Sequence, residues 1–474
     1  MAANGSGLAR PCTAPTSPAP TSHSAARLDR RGFLKLAGVA GAAAGVSSVA
    51  AGCSSKTNTA GTKPLRIGLV SNQTGSLAGF GEADSVVVAN VRTALKDSIK
   101  LDGVTHPLEI LLRDTGSQSL RAAQGARDLI QNAKVDLLLT AGAPEIVNPA
   151  ANVAEQLNTP CLSTNVPWQA WFLGRQSEAL AKGKPPQTFQ WTYHFFWGLE
   201  DVVAVFNAIW SQFPTNKVIA AVFTNDKDGD AWADERTGLP GAFKPRGYSF
   251  VEQPRPDVGA NDYAPLIKNF MDSGAQIMTG VISSADFATF WRQTNEAGFR
   301  PPIATIGKAL LFPAFMEVLT PSPAGLTGTV SWHPTFPFHS ALLGKSSAEW
   351  AATYTEQTHR QWTQPIGTVL SLFEVAIDVL QRAGSGDPQA IIAAIKDTSV
   401  DTIVGRVSWR QGHDPDLKPP LAAANVAKTP LVGGQWLNAS PGSQFRFEEV
   451  IVVNPGHPSI PVSHRVTPLA PQAS

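Results

Sequence analysis

The chain has 474 residues, a formal net charge of +1 at pH 7, 43% hydrophobic residues and 16% charged ones. That balance describes a globular chain with ample core, and the length favours two domains over one. The near-zero charge, with neither a basic stripe nor an acidic run, argues against nucleic acid as the main partner.

Residues 1–52 read as an address rather than as fold. Ala, Ser, Thr and Pro dominate residues 1–27, and "LDRRGFLKLAGVAGAAAGVSSVAAGC" follows from Leu28 to Cys53. Arg30 and Arg31, with Phe33, Leu34 and Lys35 behind them, resemble a bacterial twin-arginine export signal. The apolar stretch Leu36 to Ala51 is diluted with Gly, Ala and Ser, too weak for a membrane span of about 20 residues. Ala50-Ala51-Gly52-Cys53 resembles a lipobox, in which Cys53 becomes the lipidated first residue. Ala50 stands where Leu or Val is usual, so cleavage without a lipid is the alternative. Residues 53–63 then form a polar tether. Of Cys12, Cys53 and Cys161, only Cys161 falls in the folded part, which excludes an internal disulfide; its apolar surroundings fit a core residue better than a nucleophile.

From Leu65 onward, short apolar runs alternate with segments of helical period. "LRIGLV" (65–70) predicts a strand, and Val87, Val91, Leu95 and Ile99 predict one face of a helix. "LEILL" (108–112), a helix over 119–132, "VDLLLT" (135–140), a helix over 145–157 and "PCLS" (160–163) continue the pattern. Such βα repeats predict a mostly parallel sheet with helices on both faces. Then comes "FQWTYHFFWG" (189–198), with six aromatic residues in ten positions of a chain that is 8% aromatic.

The alternation restarts with a helix over 199–213 and strands at "VIAAVF" (218–223), "YSFVEQ" (248–253), "QIMTGVI" (276–282) and "PIATIG" (302–307). Helices are predicted between the later strands at 262–273 and 286–297. This predicts a second open α/β sheet. Beyond it lie a Pro-rich passage, helices at 347–361, 366–383 and 388–396, a strand "GRVSW" (405–409), and a Pro- and Gly-rich end with weak strand character.

No catalytic constellation emerges, and no cofactor or metal is expected. A G-x-G-x-x-G after a strand, a G-x-S-x-G elbow and an H-E-x-x-H are all absent. "LGKS" (343–346) imitates the end of a phosphate loop, but His339 occupies the first Gly position. "NDKDGD" (225–230) has its Gly229 too early for a calcium loop and Thr237 where a closing Glu belongs. His333 and His339, six apart, lack ligand spacing. The informative segments are loops at the carboxyl ends of strands, where open α/β sheets bind ligands. They are 71–81, which holds Thr74, with 141–145 and 163–168 in the first sheet, and 224–230, which holds Asp226, with 283–286 and 307–309 in the second.

"IGLVSNQTGSLAGFGE" (67–82) and "RDTGSQSLRAAQGARDLIQNAKVDLLLTAGAP" (113–144) resemble the periplasmic solute-binding proteins of the leucine/isoleucine/valine-binding type, and the likeness runs to about Trp409. The resemblance implies an α/β fold of two doubly wound parallel-sheet lobes joined by a three-strand hinge. Its crossings are expected near 189–193, 330–335 and 398–405, giving lobe 1 as 64–190 plus 335–398 and lobe 2 as 191–334 plus 399–474. It further implies a monomeric, non-enzymatic receptor on the outer face of the cytoplasmic membrane. A small amino acid, organic acid or amide would be delivered to the permease subunits of an ABC importer. A ligand sensor or amide-responsive regulator of the same fold is the alternative, although nothing after Ser408 is apolar enough to span a bilayer.

Position by position, the resemblance puts Phe80 over the solute, and Ala143, Pro144, Thr164 and Asn165 about its carboxylate. Ser283 and Lys308 fall at its other end. Lys308 stands about where amino-acid binders of the family carry an acid for the α-ammonium, so a cation here is expected to repel an ammonium and attract an anion. Asn72 replaces a Pro in the first loop. Trp168, Tyr193, Phe195 and Trp197 are expected to line one cleft as an apolar wall, with packing of the hinge alone as the alternative.

Overall fold

A computed structural model describes residues 62–251, 253–410, 417 and 419–469. The expected export signal and lipidation site, with Arg30, Arg31 and Cys53, lie outside the described residues. Among the described residues no helix is long and apolar enough to cross a membrane.

Two seven-stranded sheets organise the chain. In spatial order the first comprises Val426–Ala427, Thr192–Phe195, Cys161–Thr164, Leu137–Ala141, Leu65–Ser71, Val104–Asp114 and Ser98–Leu101. All pair in parallel except the last two, which form an antiparallel hairpin. A parallel strand covered on both faces must be apolar at successive positions. Leu137–Ala141 is buried throughout. Its Leu137 and Leu139 enter the core under the helix Pro365–Ala383, and Leu138 enters the core under Ser119–Gln131 and Pro144–Gln156. Each fully buried Leu contributes about 1.5–3 kcal/mol. Cys161 belongs to the second of these cores, and burial pushes its thiol pKa up to about 12, which suits an inert packing residue.

The second sheet runs Phe447–Val453, Val432–Asn438, Thr327–Val330, Ile303–Lys308, Ile277–Ile282, Val218–Phe223 and Ser249–Phe250. Its last five strands pair in parallel; the first two, from the chain's end, are antiparallel. The weak strand character of that end is thus sheet edge. Gly433 and Gly434 carry a register shift where a side chain would meet Val453 and Val330 respectively.

Helix ends differ from the periodic expectation where the backbone turns left-handed. The helix Asp84–Leu95 stops because Lys96 and Asp97 adopt φ of 53° and 48°, and Ile99 belongs to the strand Ser98–Leu101 instead.

Two of the three crossings lie later than expected. Thr192–Phe195 pairs with Cys161–Thr164, so the chain leaves the first lobe after Phe195, not at residue 190, and Phe196 and Trp197 already pack in the second-lobe core. The second crossing follows Val330, with Trp332 and Phe336 back in the first core. The third is not at 398–405. Ser399–Thr402 and Gly405–Ser408 form a hairpin whose Ile403, Val404 and Val407 pack in the first core, and Ile403 N–H donates to Glu374 at 2.9 Å. The chain crosses between Ala427, in the first sheet, and Val432, in the second. Apolar residues in the hairpin decide this, since exposing them would forfeit their burial.

Candidate functional site

The carboxyl ends of the two sheets face one another across a cavity with an empty volume of ≈ 550 Å³, counting its mouth. Phe80, Ala143, Pro144 and Asn165 line it from the first lobe, and Asp228, Trp232, Val281 and Lys308 from the second. Phe196 and Trp197, just past the first crossing, and Ser331 and Gln364, bonded to each other at the second, complete its walls.

Each first-lobe residue is held by the loop after a strand. Phe80 ends the turn Ala78–Phe80, and its ring meets Phe312 of the second lobe edge to face. Ala143 and Pro144 open the helix Pro144–Gln156, where proline fits because first-turn N–H groups have no intrahelical acceptor. Asn165 follows the strand Cys161–Thr164 at φ 71°, a left-handed geometry that asparagine tolerates. The Thr164 hydroxyl donates to Phe195 O at 2.8 Å; it fastens the strand ends rather than facing the cavity.

In the second lobe, Lys308 ends the strand Ile303–Lys308 with φ 66° and is 8% exposed. Its Nζ lies 2.7 Å from Asp228 Oδ2 and 3.6 Å from Asp226 Oδ2. Burial by itself lowers the ammonium pKa, but the charges of Asp228, Glu145 and Asp226 outweigh it and hold it raised. Burial raises the Asp228 pKa against the pull of Lys308, since three carboxylates share one cation. The expectation that Lys308 attracts an anion is therefore corrected: its charge is already matched within the protein. Asp226 caps the helix Lys227–Ala233 by accepting from Gly229 N–H at 2.8 Å.

The aromatic wall is also corrected. Tyr193 and Phe195 point from the same face of their strand into the first-lobe core, where they meet Trp409 with centroids 5.9 and 6.4 Å away. His194 faces the other way, stacked on Trp171, with Nε2 2.7 Å from Val166 O; burial drops its pKa to about 3. Trp168 is a hinge residue. Its Nε1–H donates to Glu200, which also pairs with Lys428 of the third crossing at 2.9 Å. Of the four expected rings only Trp197 lines the cavity, joined there by Phe196 and Trp232. Of the other expected positions, Thr74 is exposed and bonded to Asp114, while Ser283 caps the helix Ser284–Glu296 beside an adjoining cavity.

Three polar groups in the lining find no partner in the protein: Asn165 Nδ2, Trp197 Nε1 and Trp232 Nε1. Asp228 lay within a loop that the sequence singled out, and Trp197 ended the aromatic run. Nothing in the sequence pattern pointed to Trp232 or Gln364. Among the described residues no group of three or more His, Cys, Asp or Glu is arranged to hold a metal ion.

Two α/β lobes that close on a cavity through three chain crossings define a class of hinged binding proteins. A family profile described as "Periplasmic binding protein" matches residues 64–429, and the chain belongs to that family of solute-binding proteins. No curated protein matches the chain in sequence. Among solved structures, a leucine-binding protein of Thermotoga maritima superposes with a TM-score of 0.62 at 18% identity, over 82% of this chain and 99% of its own. A solute-binding protein of Rhodopseudomonas palustris in complex with 3,4-dihydroxybenzoic acid gives 0.61 at 16%, over 82% and 98%. An isoleucine complex of a branched-chain amino acid transporter binding protein of Streptococcus pneumoniae gives 0.60 at 13%, over 82% and 100%. At these identities the likeness shows the shared fold.

Proposed function

We propose that the protein is the extracytoplasmic receptor of an ABC importer, which clamps a small amino acid, organic acid or amide between its lobes and hands it unaltered to the permease subunits. The observation that carries this reading is a cavity walled by both lobes, with buried rings on its sides and partnerless N–H donors in its lining. Phe80, Phe196, Trp197 and Trp232 favour a solute with a flat or branched apolar body. The acids and amino acids bound by the structural relatives are of that kind. Solute contacts made on both lobes lower the free energy of the closed state relative to the open one, so binding shifts the hinge equilibrium.

The same reading places the chain outside the cytoplasmic membrane as a monomer, exported through the twin-arginine signal at Arg30 and Arg31 and anchored by lipid on Cys53. Intrinsic fluorescence of the 12 Trp residues, titrated with a panel of amino acids, aromatic acids and amides, tests solute binding. A saturable change with at least one class is expected; a flat response to all of them, repeated by calorimetry, would sink the proposal.

A further inference from the structure

We infer that the cavity selects uncharged solutes bearing a hydrogen-bond-accepting oxygen on an apolar body, and that the Lys308–Asp228 pair, with Glu145 nearby, sets this preference. The inference rests on the cavity being the solute site.

The polar lining bounds the chemistry from one side. Asn165, Trp197 and Trp232 are 7%, 6% and 2% exposed, and their side-chain N–H groups have no acceptor in the protein. A buried donor without a partner is costly, so an occupant that brings acceptors to the donors it reaches favours closure. An ammonium or guanidinium carries donors only and leaves all three groups unmatched.

The charges bound it from the other side. Among the described lining residues, Lys308 and Asp228 carry the formal charges, and they are bonded to each other at 2.7 Å. Asp226 lies 3.6 Å from the same ammonium, and Glu145, which interacts with it through space, buries both carboxylate oxygens without a donor. One positive charge is thus set against three acids. A carboxylate entering here finds no free cation and meets a negative field in a poorly solvated space, where charges interact strongly. A zwitterion engages both charged partners only by breaking a buried ion pair, which leaves each of them poorly compensated. A neutral carbonyl satisfies the donors and escapes the field. Carboxamides, lactams and esters have that chemistry, and the rings of Phe196, Trp197 and Trp232 accept their apolar bodies.

Calorimetric titration of the full chain with matched sets of acid, primary amide and primary amine, on phenyl, hydroxyphenyl, indolyl and branched alkyl bodies, tests this. At neutral pH at least one amide is expected to bind about tenfold tighter than its acid and its amine. Glu145→Gln, confirmed folded by thermal melting, is expected to narrow the amide-over-acid ratio at least about threefold by removing a negative charge. An acid or amine that binds as tightly as its amide overturns the inference and leaves solute binding standing. An unchanged ratio in the variant overturns the part assigned to Glu145. No saturable binding by any member overturns this inference; the receptor function falls with it only if the amino acids of the wider panel also fail to bind.

Discussion

The ring of Phe80 in the first lobe stands edge-on to that of Phe312 in the second, with centroids 4.9 Å apart and planes at 82°. With Ala143 they form a small buried apolar cluster drawn from both lobes. Such a ring pair contributes about 0.5–1.5 kcal/mol beyond its buried area. Phe312→Ala is therefore expected to weaken solute binding by the protein that remains folded roughly two- to tenfold or more, as read by calorimetry. Gly79→Val acts from the other side, because a Cβ at Gly79 would meet the Phe312 ring at 2.8 Å. Small-angle scattering in the presence of solute should find this variant more open than the wild type; equal radii would remove Phe80–Phe312 from the closure mechanism.

Lys308→Met leaves Asp228, Asp226 and Glu145 without the ammonium that compensates them. Breaking a buried pair by removing one partner typically costs about 3–5 kcal/mol. Burial already raises the Asp228 pKa against the pull of Lys308, and without the ammonium nothing opposes it, so the contribution of Asp228 is intact at low pH and is lost as pH rises. The variant should accordingly lose more stability at pH 8 than at pH 5 in denaturant titrations. A uniform loss at both would show that packing, not charge, is what the substitution removes.

Glu449 lies buried at the second crossing, where Gln364 Nε2–H donates to its Oε2 at 3.1 Å. Burial pushes its pKa from 4.5 to about 8, with the Gln364 bond pulling the other way. Because the folded value is the higher one, this group's contribution to stability is whole below about 4.5 and declines as pH climbs towards about 8. Glu449→Gln stays neutral, so the difference in unfolding free energy, variant minus wild type, should grow with pH across that window. Glu374 and Asp84, each raised to about 7 by burial, titrate in both proteins and cancel from the difference.

Tyr193→Ala and Phe195→Ala remove core rings from the first lobe and should lower stability by about 3–5 kcal/mol each. Solute affinity of the protein that remains folded should change little. Trp197→Ala and Trp232→Ala remove rings and unmatched N–H donors from the cavity and should weaken binding about tenfold or more. The reverse pattern would restore the aromatic wall to Tyr193 and Phe195.

Export and anchoring are separable by mutation. Cys53→Ser should yield protein that leaves the membrane fraction and incorporates no labelled fatty acid. Replacing both Arg30 and Arg31 with Lys should leave it inside the cell. Membrane retention of the Cys53→Ser chain would argue against the lipid anchor.

The repeating layout was legible because parallel strands covered on both faces need unbroken apolar runs, and "VDLLLT" and "VIAAVF" are such runs. The hinge was harder. Thr192–Phe195 and Val426–Ala427 are joined by backbone hydrogen bonds between residues more than two hundred positions apart, which local periodicity cannot register. Asn165, Phe80, Ala143, Pro144 and Lys308 were found by loop position and family likeness, and the cavity brings them together. What Lys308 does there depends on Asp228 and on Glu145 of the opposite lobe, so its identity alone could not disclose whether the charge was free. Tyr193 and Phe195 share a face, as alternation requires, and were misplaced only in what that face covers: it packs against Trp409, which comes from a distant hairpin that local periodicity cannot register.

The lateness of the third crossing bears on biosynthesis. Val432–Asn438 reaches its place beside Thr327–Val330, and Phe447–Val453 its place beside Val432–Asn438, only after more than a hundred further residues have followed Thr327–Val330 out of the ribosome. Until then Thr327–Val330 is a bare margin with open peptide groups, a template for wrong pairing. A translocase that threads unfolded chains would deliver that margin to the far side ahead of its cover, whereas one that accepts finished proteins would not. Folding before export, as the proposed twin-arginine route requires, would protect this molecule at the seam it completes last.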